Sequence, residues 1–157
     1  MKVQDVMTVD VRTCGPDANV AEVAQVMWEN DCGIVPVVDA DNQVRGVITD
    51  RDVCIALGTR NQRAATVRAA DVMSTEVLTS VANDELAAAL ATMRSGRVRR
   101  VPVLDTGGGL CGILSLDDVV LHIEQKSRDA KLRDAMVSTL RTICEKWKAP
   151  RETATTA

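Results

Sequence analysis

The chain contains no phenylalanine and no tyrosine, and its aromatic residues are two tryptophans, Trp28 and Trp147. Proteins that hold single-stranded nucleic acid stack bases on aromatic rings, so that class is disfavoured, and a flat ligand must be gripped by aliphatic side chains and backbone. Histidine is nearly missing as well, with His122 standing alone. The five cysteines, Cys14, Cys32, Cys54, Cys111 and Cys144, are scattered and never in Cys-x-x-Cys spacing, which argues against a zinc centre or a disulfide framework. Most are flanked by apolar residues and read as small buried hydrophobes rather than reactive thiols. No stretch of about 18 apolar residues is available to span a bilayer, and the first residues lack a secretory pattern. A cytosolic location is the expectation.

What is present is the profile of a globular protein: 157 residues, 46% hydrophobic and 26% charged, with a net charge of -3. The charge is unevenly placed. Residues 1–125 carry 11 basic and 18 acidic groups, whereas residues 126–157 carry 8 and 4. An acidic body makes nucleic acid and anionic membrane poor partners.

The chain repeats itself. Shifted by 66 residues, positions 5–53 align with 71–119 without a gap, and 14 of the 49 pairs are identical. Asp5-Val6-Met7 meets Asp71-Val72-Met73, and Val35-Pro36-Val37 meets Val101-Pro102-Val103. Residues 11–14 and 77–80 read as short strands. Val20, Val23, Ala24 and Met27, like Leu86, Ala89, Leu90 and Met93, follow the i, i+3, i+4, i+7 spacing of an amphipathic helix, and Asn19 with Glu22 forms a capping-box signature. "IVPVVD" and "RVPVLD" then lead through the turns "DADNQ" and "DTGGG" to second β-branched runs, each pair a hairpin. Gly107-Gly108-Gly109 lacks a following Lys-Ser/Thr and is a turn, not a phosphate loop.

The predicted order is therefore β-α-β-β-α twice: an α/β fold of two units related by a pseudo-twofold axis, plus a C-terminal helix. The expected boundaries are 1–60 for the first unit, 61–125 for the second, 126–148 for the helix and 149–157 for a flexible tail. One unit alone buries too little apolar surface to be stable, so the two should pack face to face.

Each unit closes on one pattern, "GVITDRDV" (46–53) and "GILSLDDV" (112–119). Two readings stand side by side. Thr49 and Ser115 are good helix N-caps, with Asp52 and Asp118 three residues on, where an acidic group favours a helix start. The same geometry suits a ribose phosphate, because a helix N-terminus offers N–H groups to a phosphate and a carboxylate can accept hydrogen bonds from a vicinal diol.

The unit length, the "VPVVD" strand and the closing G-h-h-[TS]-x-x-D-V pattern resemble the cystathionine-β-synthase-type (CBS) domain pair over residues 1 to about 125. The resemblance implies a non-enzymatic regulatory module that binds an adenosine compound such as AMP, ADP or ATP as regulatory ligand, with no cofactor or metal. It implies a homodimer that acts on an unidentified target protein. A structural or protein-interaction module with empty pockets is the alternative. The sole His122 and the absence of a nucleophile set argue against catalysis at Asp50, Asp117 or their neighbours.

Carried over by the resemblance, Thr49 and Asp52 hold phosphate and ribose in one site, and Ser115 and Asp118 in the other. Val47 and Ile113 should form apolar walls, together with Met7 and Met73 from the opposite ends of the units, although ordinary core packing would also account for these four. Cys32 and Gly33, and Val98 and Arg99, fall where the family lines its pocket. The second unit has Arg97, Arg99 and Arg100 where the first has Asp31-Cys32-Gly33-Ile34, and basic residues at that place reach ligand phosphates in the family. A solvated rim is the plain alternative. The expectation is that the Asp118 pocket prefers phosphorylated ligands and that the Asp52 pocket is weaker or selects a less charged adenosine compound, with Arg51 either serving the first pocket or pointing to solvent. Beyond the resemblance, Leu132, Met136, Leu140, Ile143 and Trp147 form an apolar stripe on a basic helix, to be covered by the protein's own dimer or by a partner.

Overall fold

The computed structural model describes residues 1–126 and 130–145; Trp147 and the expected tail, 149–157, lie outside the described residues.

Asn19 starts the first helix as its sequence predicts. Its side chain accepts the Glu22 N–H at 3.0 Å, and the Glu22 carboxylate accepts the Asn19 N–H at 2.9 Å. Helix α1 (Val20–Glu29) buries Val20, Val23 and Met27. Strands β1 (Ile34–Val38) and β2 (Val44–Thr49) pair antiparallel, with Ile34 opposite Thr49. Their turn is closed by Asp39, whose Oδ1 accepts from the N–H groups of Asp41 and Gln43. Helix α2 (Asp50–Arg60) follows without a linker and ends at Asn61, which takes the left-handed conformation.

The second unit repeats the plan with β3 (Ser80–Val81), α3 (Leu86–Gly96), β4 (Arg100–Leu104), β5 (Leu110–Ser115) and α4 (Leu116–Lys126). β4 and β5 pair antiparallel with Arg100 opposite Ser115, and β3 lies parallel to β4. Asp105 closes this hairpin through the Gly107 and Gly109 N–H groups. A last helix, α5 (Ala130–Glu145), completes the described chain.

The leading strand of each unit is shorter than its sequence suggests. Residues 11–14 contribute a single bridge, Cys14 to Val37, and residues 77–80 contribute only Ser80 to the two-residue β3. Cys14 donates to the Pro36 carbonyl and accepts the Val38 N–H, at 3.1 and 2.9 Å. Pro36 itself has no N–H to offer a longer ladder, and Gly15-Pro16-Asp17 turns the chain away immediately afterwards. β-Branched composition signals a strand here, but the backbone donors that would extend it are missing.

Packing does not follow chain order. The core of the second unit, with Leu86, Leu90, Met93, Val101 and Leu114, takes in Val3 from the start of the chain, and Val6 and Met7 pack against it. Reciprocally, the core of the first unit, with Val20, Val23, Val35 and Ile48, takes in Val67 and Ala69, with Val72 and Met73 beside them. Two bridges seal the exchange: Thr8 pairs with Ile113 on β5, and Ser74 with Val47 on β2. These bridges are images of each other under the 66-residue shift, and they set the pseudo-twofold relation of the halves.

Helix α5 packs along α3 within the same chain. Leu132 and Ile143 are buried, and Met136 and Leu140 are partly buried against the second core. Thr139, a polar residue the apolar stripe did not single out, is also buried, its hydroxyl donating to the Ala135 carbonyl at 2.8 Å and standing 3.3 Å from the Leu90 carbonyl. The face expected to await a dimer or a partner is thus covered by the protein's own α3.

Candidate functional site

Both hydroxyl–Asp motifs fold as caps. Thr49 leaves β2 in an extended conformation, φ -106° and ψ 163°, and Asp52 folds back beneath it. Asp52 Oδ2 accepts the Thr49 N–H at 2.8 Å and the Thr49 hydroxyl at 2.7 Å, while the Asp52 N–H reaches Thr49 Oγ1 at 3.3 Å. Ser115 and Asp118 repeat this at 2.8, 2.7 and 3.1 Å. One carboxylate oxygen of each Asp is therefore committed to the helix start. The other is not needed by the cap: Asp52 Oδ1 has no part in it, and Asp118 Oδ1 lies 3.4 Å from the Thr8 hydroxyl.

The helix N-terminus offers less to a phosphate than its sequence suggests. The Asp50 N–H points to the Gly33 carbonyl at 3.4 Å, and the Arg51 N–H is taken by its neighbour Asp50 Oδ1 at 2.7 Å. With the Asp52 N–H on Thr49, the first turn of α2 is already engaged. At the start of α4, the Leu116 N–H is bound to the Arg99 carbonyl at 3.0 Å. The guanidinium groups beside the clefts are therefore the main donors on offer to an anion.

Two clefts open beside the caps. One, of about 920 Å³, is bordered by Val47, Thr49 and Asp52 on one side and by Val98, Arg99 and Arg100 on the other, with Ser74 to Leu78 between them and Ile143 of α5 at its edge. The second, of about 480 Å³, is bordered by Ile113, Ser115 and Asp118, by Cys32 and Gly33, and by Thr8, Asp10, Val11 and Arg12. Both volumes suit a small-molecule ligand, for which roughly 300–1,000 Å³ is usual. Asp52 and Asp118 are half-buried in these clefts, not turned out into water.

Each cleft thus joins the hydroxyl–Asp motif of one unit to the helix–strand turn of the other. Arg97, Arg99 and Val98 border the Asp52 cleft, whereas Cys32 and Asp31 border the Asp118 cleft. The arginine cluster, grouped in the sequence with the Asp118 motif of its own unit, borders the cleft of the opposite motif, so the ground for ranking the Asp118 pocket as the phosphate-preferring one lies at the Asp52 cleft. Arg100 and Gly33 border both clefts. Met7 and Met73 do not line either one. They lie over Gly112 and Gly46, where an added Cβ would fall 2.5 and 2.6 Å from their sulfur atoms, so their role is packing behind the walls. Arg51 borders the Asp52 cleft.

Residues that escaped the sequence reading include Thr8, Asp10 and Arg12 in one cleft and Ser74 to Leu78 in the other. They follow Met7 and Met73 directly, and the exchange of these segments between halves brings them to the site. Among the described residues, no three His, Cys, Asp or Glu side chains group as a metal site, and no helix is long and apolar enough to cross a membrane. Burial, with the charge of Glu22 second, pushes the Cys14 thiol up to about 11, which keeps it protonated and inert at neutral pH.

The CBS domain model matches residues 3–59 and 69–125. The chain belongs to the CBS domain family. The two matched stretches are the two exchanged halves, and they stop short of α5. The CBS domain-containing protein YhcV of Bacillus subtilis is 32% identical over 120 residues, covering 76% of this chain and 84% of its own. An inosine-5'-monophosphate dehydrogenase of Methanocaldococcus jannaschii is 34% identical over 134 residues, which cover 84% of this chain and 26% of that enzyme. Among solved structures, CBSX2 in complex with AMP superimposes with a TM-score of 0.70 at 26% identity, covering 81% of this chain and 98% of that one.

Proposed function

We propose that this CBS pair is a regulatory module that binds adenosine nucleotides in its two clefts and signals through a partner protein. The observation that carries the reading is the state of the two motif carboxylates: each spends one oxygen on a helix cap and sits half-buried in a ligand-sized cleft walled by the other half. A vicinal diol needs an acceptor held in place, and the cap holds it. Val47 and Ile113 supply the aliphatic walls that a chain without Phe or Tyr must use for a purine. The AMP complex of the related CBSX2 supports the same ligand class.

The regulatory part follows from the construction of the clefts. Because both halves contribute to each, a ligand that prefers one arrangement of the halves shifts the population toward it. Ile55 and Leu57 on α2 and Val120 and Leu121 on α4 expose large apolar side chains, which supports assembly of two chains through these helices. Light scattering that returned a monomer mass would remove the homodimer from the proposal.

The test is a thermal-shift and calorimetric panel of AMP, ADP, ATP and methylthioadenosine on the whole protein, repeated on Asp52→Asn, Asp118→Asn and the double variant. Asparagine keeps a carbonyl for the cap while placing an amino group where the diol needs an acceptor. A charge-assisted hydrogen bond is worth about 1.5 to 3 kcal/mol, so each variant should weaken its own cleft by roughly ten- to a hundredfold. A flat panel on the wild-type protein would leave the interaction module as the better account.

A further inference from the structure

The two halves place opposite charges at equivalent points of the two clefts. Asp31 and Arg97 are one repeat apart, and both take the left-handed conformation, φ 47° and 52°, at the turn from helix to strand. Glycine, asparagine and aspartate adopt that conformation most readily, so Asp31 fits its position and Arg97 is the costly one; Asp31 lies on the Asp118 cleft and Arg97 on the Asp52 cleft. A second pair, Asp117 and Arg51, repeats the inversion: the Asp borders the Asp118 cleft and the Arg the Asp52 cleft.

The sums follow. Around the Asp52 cleft, Arg51, Arg97, Arg99 and Arg100 outnumber Asp50, Asp52 and Glu76. Around the Asp118 cleft, Asp10, Asp31, Asp117 and Asp118 stand against Arg12 and Arg100. Both of those arginines have acidic neighbours there, Arg12 at 3.3 Å from Asp10 and Arg100 at 3.5 Å from Asp117. The larger, net basic cleft also carries the apolar side chains Val77, Leu78 and Val98, whereas the smaller is ringed by carboxylates.

We infer that the clefts select ligands of different charge: the Asp52 cleft takes a 5'-phosphorylated adenosine, and the Asp118 cleft takes an adenosine whose 5' substituent is uncharged or cationic. This rests on the adenosine reading above and goes beyond it by dividing the ligands between the sites. A phosphate entering the Asp52 cleft meets Arg97 and Arg99, whose forked guanidinium groups suit its oxygens; Arg100 is shared by both clefts and does not distinguish them. The same phosphate in the Asp118 cleft would face Asp31 in place of Arg97 and Asp117 in place of Arg51.

The experiment titrates AMP and methylthioadenosine into the full chain by calorimetry, separately and then the second into protein saturated with AMP. One AMP site per chain is expected, with methylthioadenosine binding to the AMP-saturated protein at nearly unchanged affinity. Arg97→Asp should weaken AMP at least tenfold, and the double substitution Asp31→Arg with Asp117→Arg should raise AMP from one site to two. Circular dichroism checks the fold of each variant. Two equal AMP sites in the wild type, or displacement of one compound by the other, would overturn the division while leaving the adenosine reading intact. Binding of neither compound would overturn both.

Discussion

Helices α1 and α3 hold the same place in the two halves, yet one is bare and the other is covered. Trp28 near the end of α1 is 87% exposed. Its counterpart one repeat on is Arg94, whose guanidinium reaches Ser138 on α5 at 3.3 Å. The core beneath differs in the same sense, with Leu86 and Leu90 in the second half where the first has Val20 and Ala24. A duplicated fold tolerates this because each half needs only its own layer of helices to close its sheet, and extra cover on one side leaves the cleft framework in place. The lesson is that sequence likeness between repeats measures the shared scaffold, while function is read from the positions where they part.

That comparison can be broken most sharply at Leu90, which is fully buried between the second sheet and α5. Leu90→Ala should cost about 2 to 5 kcal/mol in urea unfolding, whereas the first half already has alanine at this position and runs without the side chain. A loss under about 1 kcal/mol would mean that α5 does not pack on α3 as described.

A smaller difference separates the hairpins. The Asp39 carboxyl is held below its ordinary value of 3.8, chiefly by the Gln43 N–H and also by Arg45. The second hairpin has glycine N–H donors around Asp105 but Cys111 where Arg45 stands. Since the folded carboxyl ionises more readily than the unfolded one, its stabilisation is complete above the ordinary carboxylate range and disappears as pH falls through 3.8 and lower. The stability gap between wild type and Asp39→Asn should therefore narrow between pH 6 and pH 3 in denaturation experiments. A gap that stays constant would detach the turn from any charge effect. At the far end of the scale, Trp28→Ser touches an exposed side chain and should move stability by less than about 0.5 kcal/mol; a larger loss would reveal a contact of α1 outside the single chain.

Much of this was legible in the residues. The 66-residue repeat, the capping box at Asn19, both hairpins and both hydroxyl–Asp caps follow from local chemistry and stand where spacing puts them. What local chemistry could not supply was the partner of each motif. Nothing near Asp118 says that Thr8 will lie beside it, because that neighbour comes from a crossing of the chain 110 residues away. For the same reason nothing in the sequence around Arg97, Arg99 and Arg100 shows that they border the cleft of the other unit's motif. The shortened first strand had another cause: Pro36 and Pro102 look like good strand residues by composition but withhold a donor from the neighbouring strand.

The exchange of leading segments has a wider consequence. A lone repeat could assemble such pockets only by meeting a second copy of itself, and two identical copies would make two identical pockets, unable to differ in a single side chain. Joining the copies in one polypeptide lifts that symmetry, so Asp31 and Arg97 are free to carry opposite signs and the two pockets of one small chain can diverge independently.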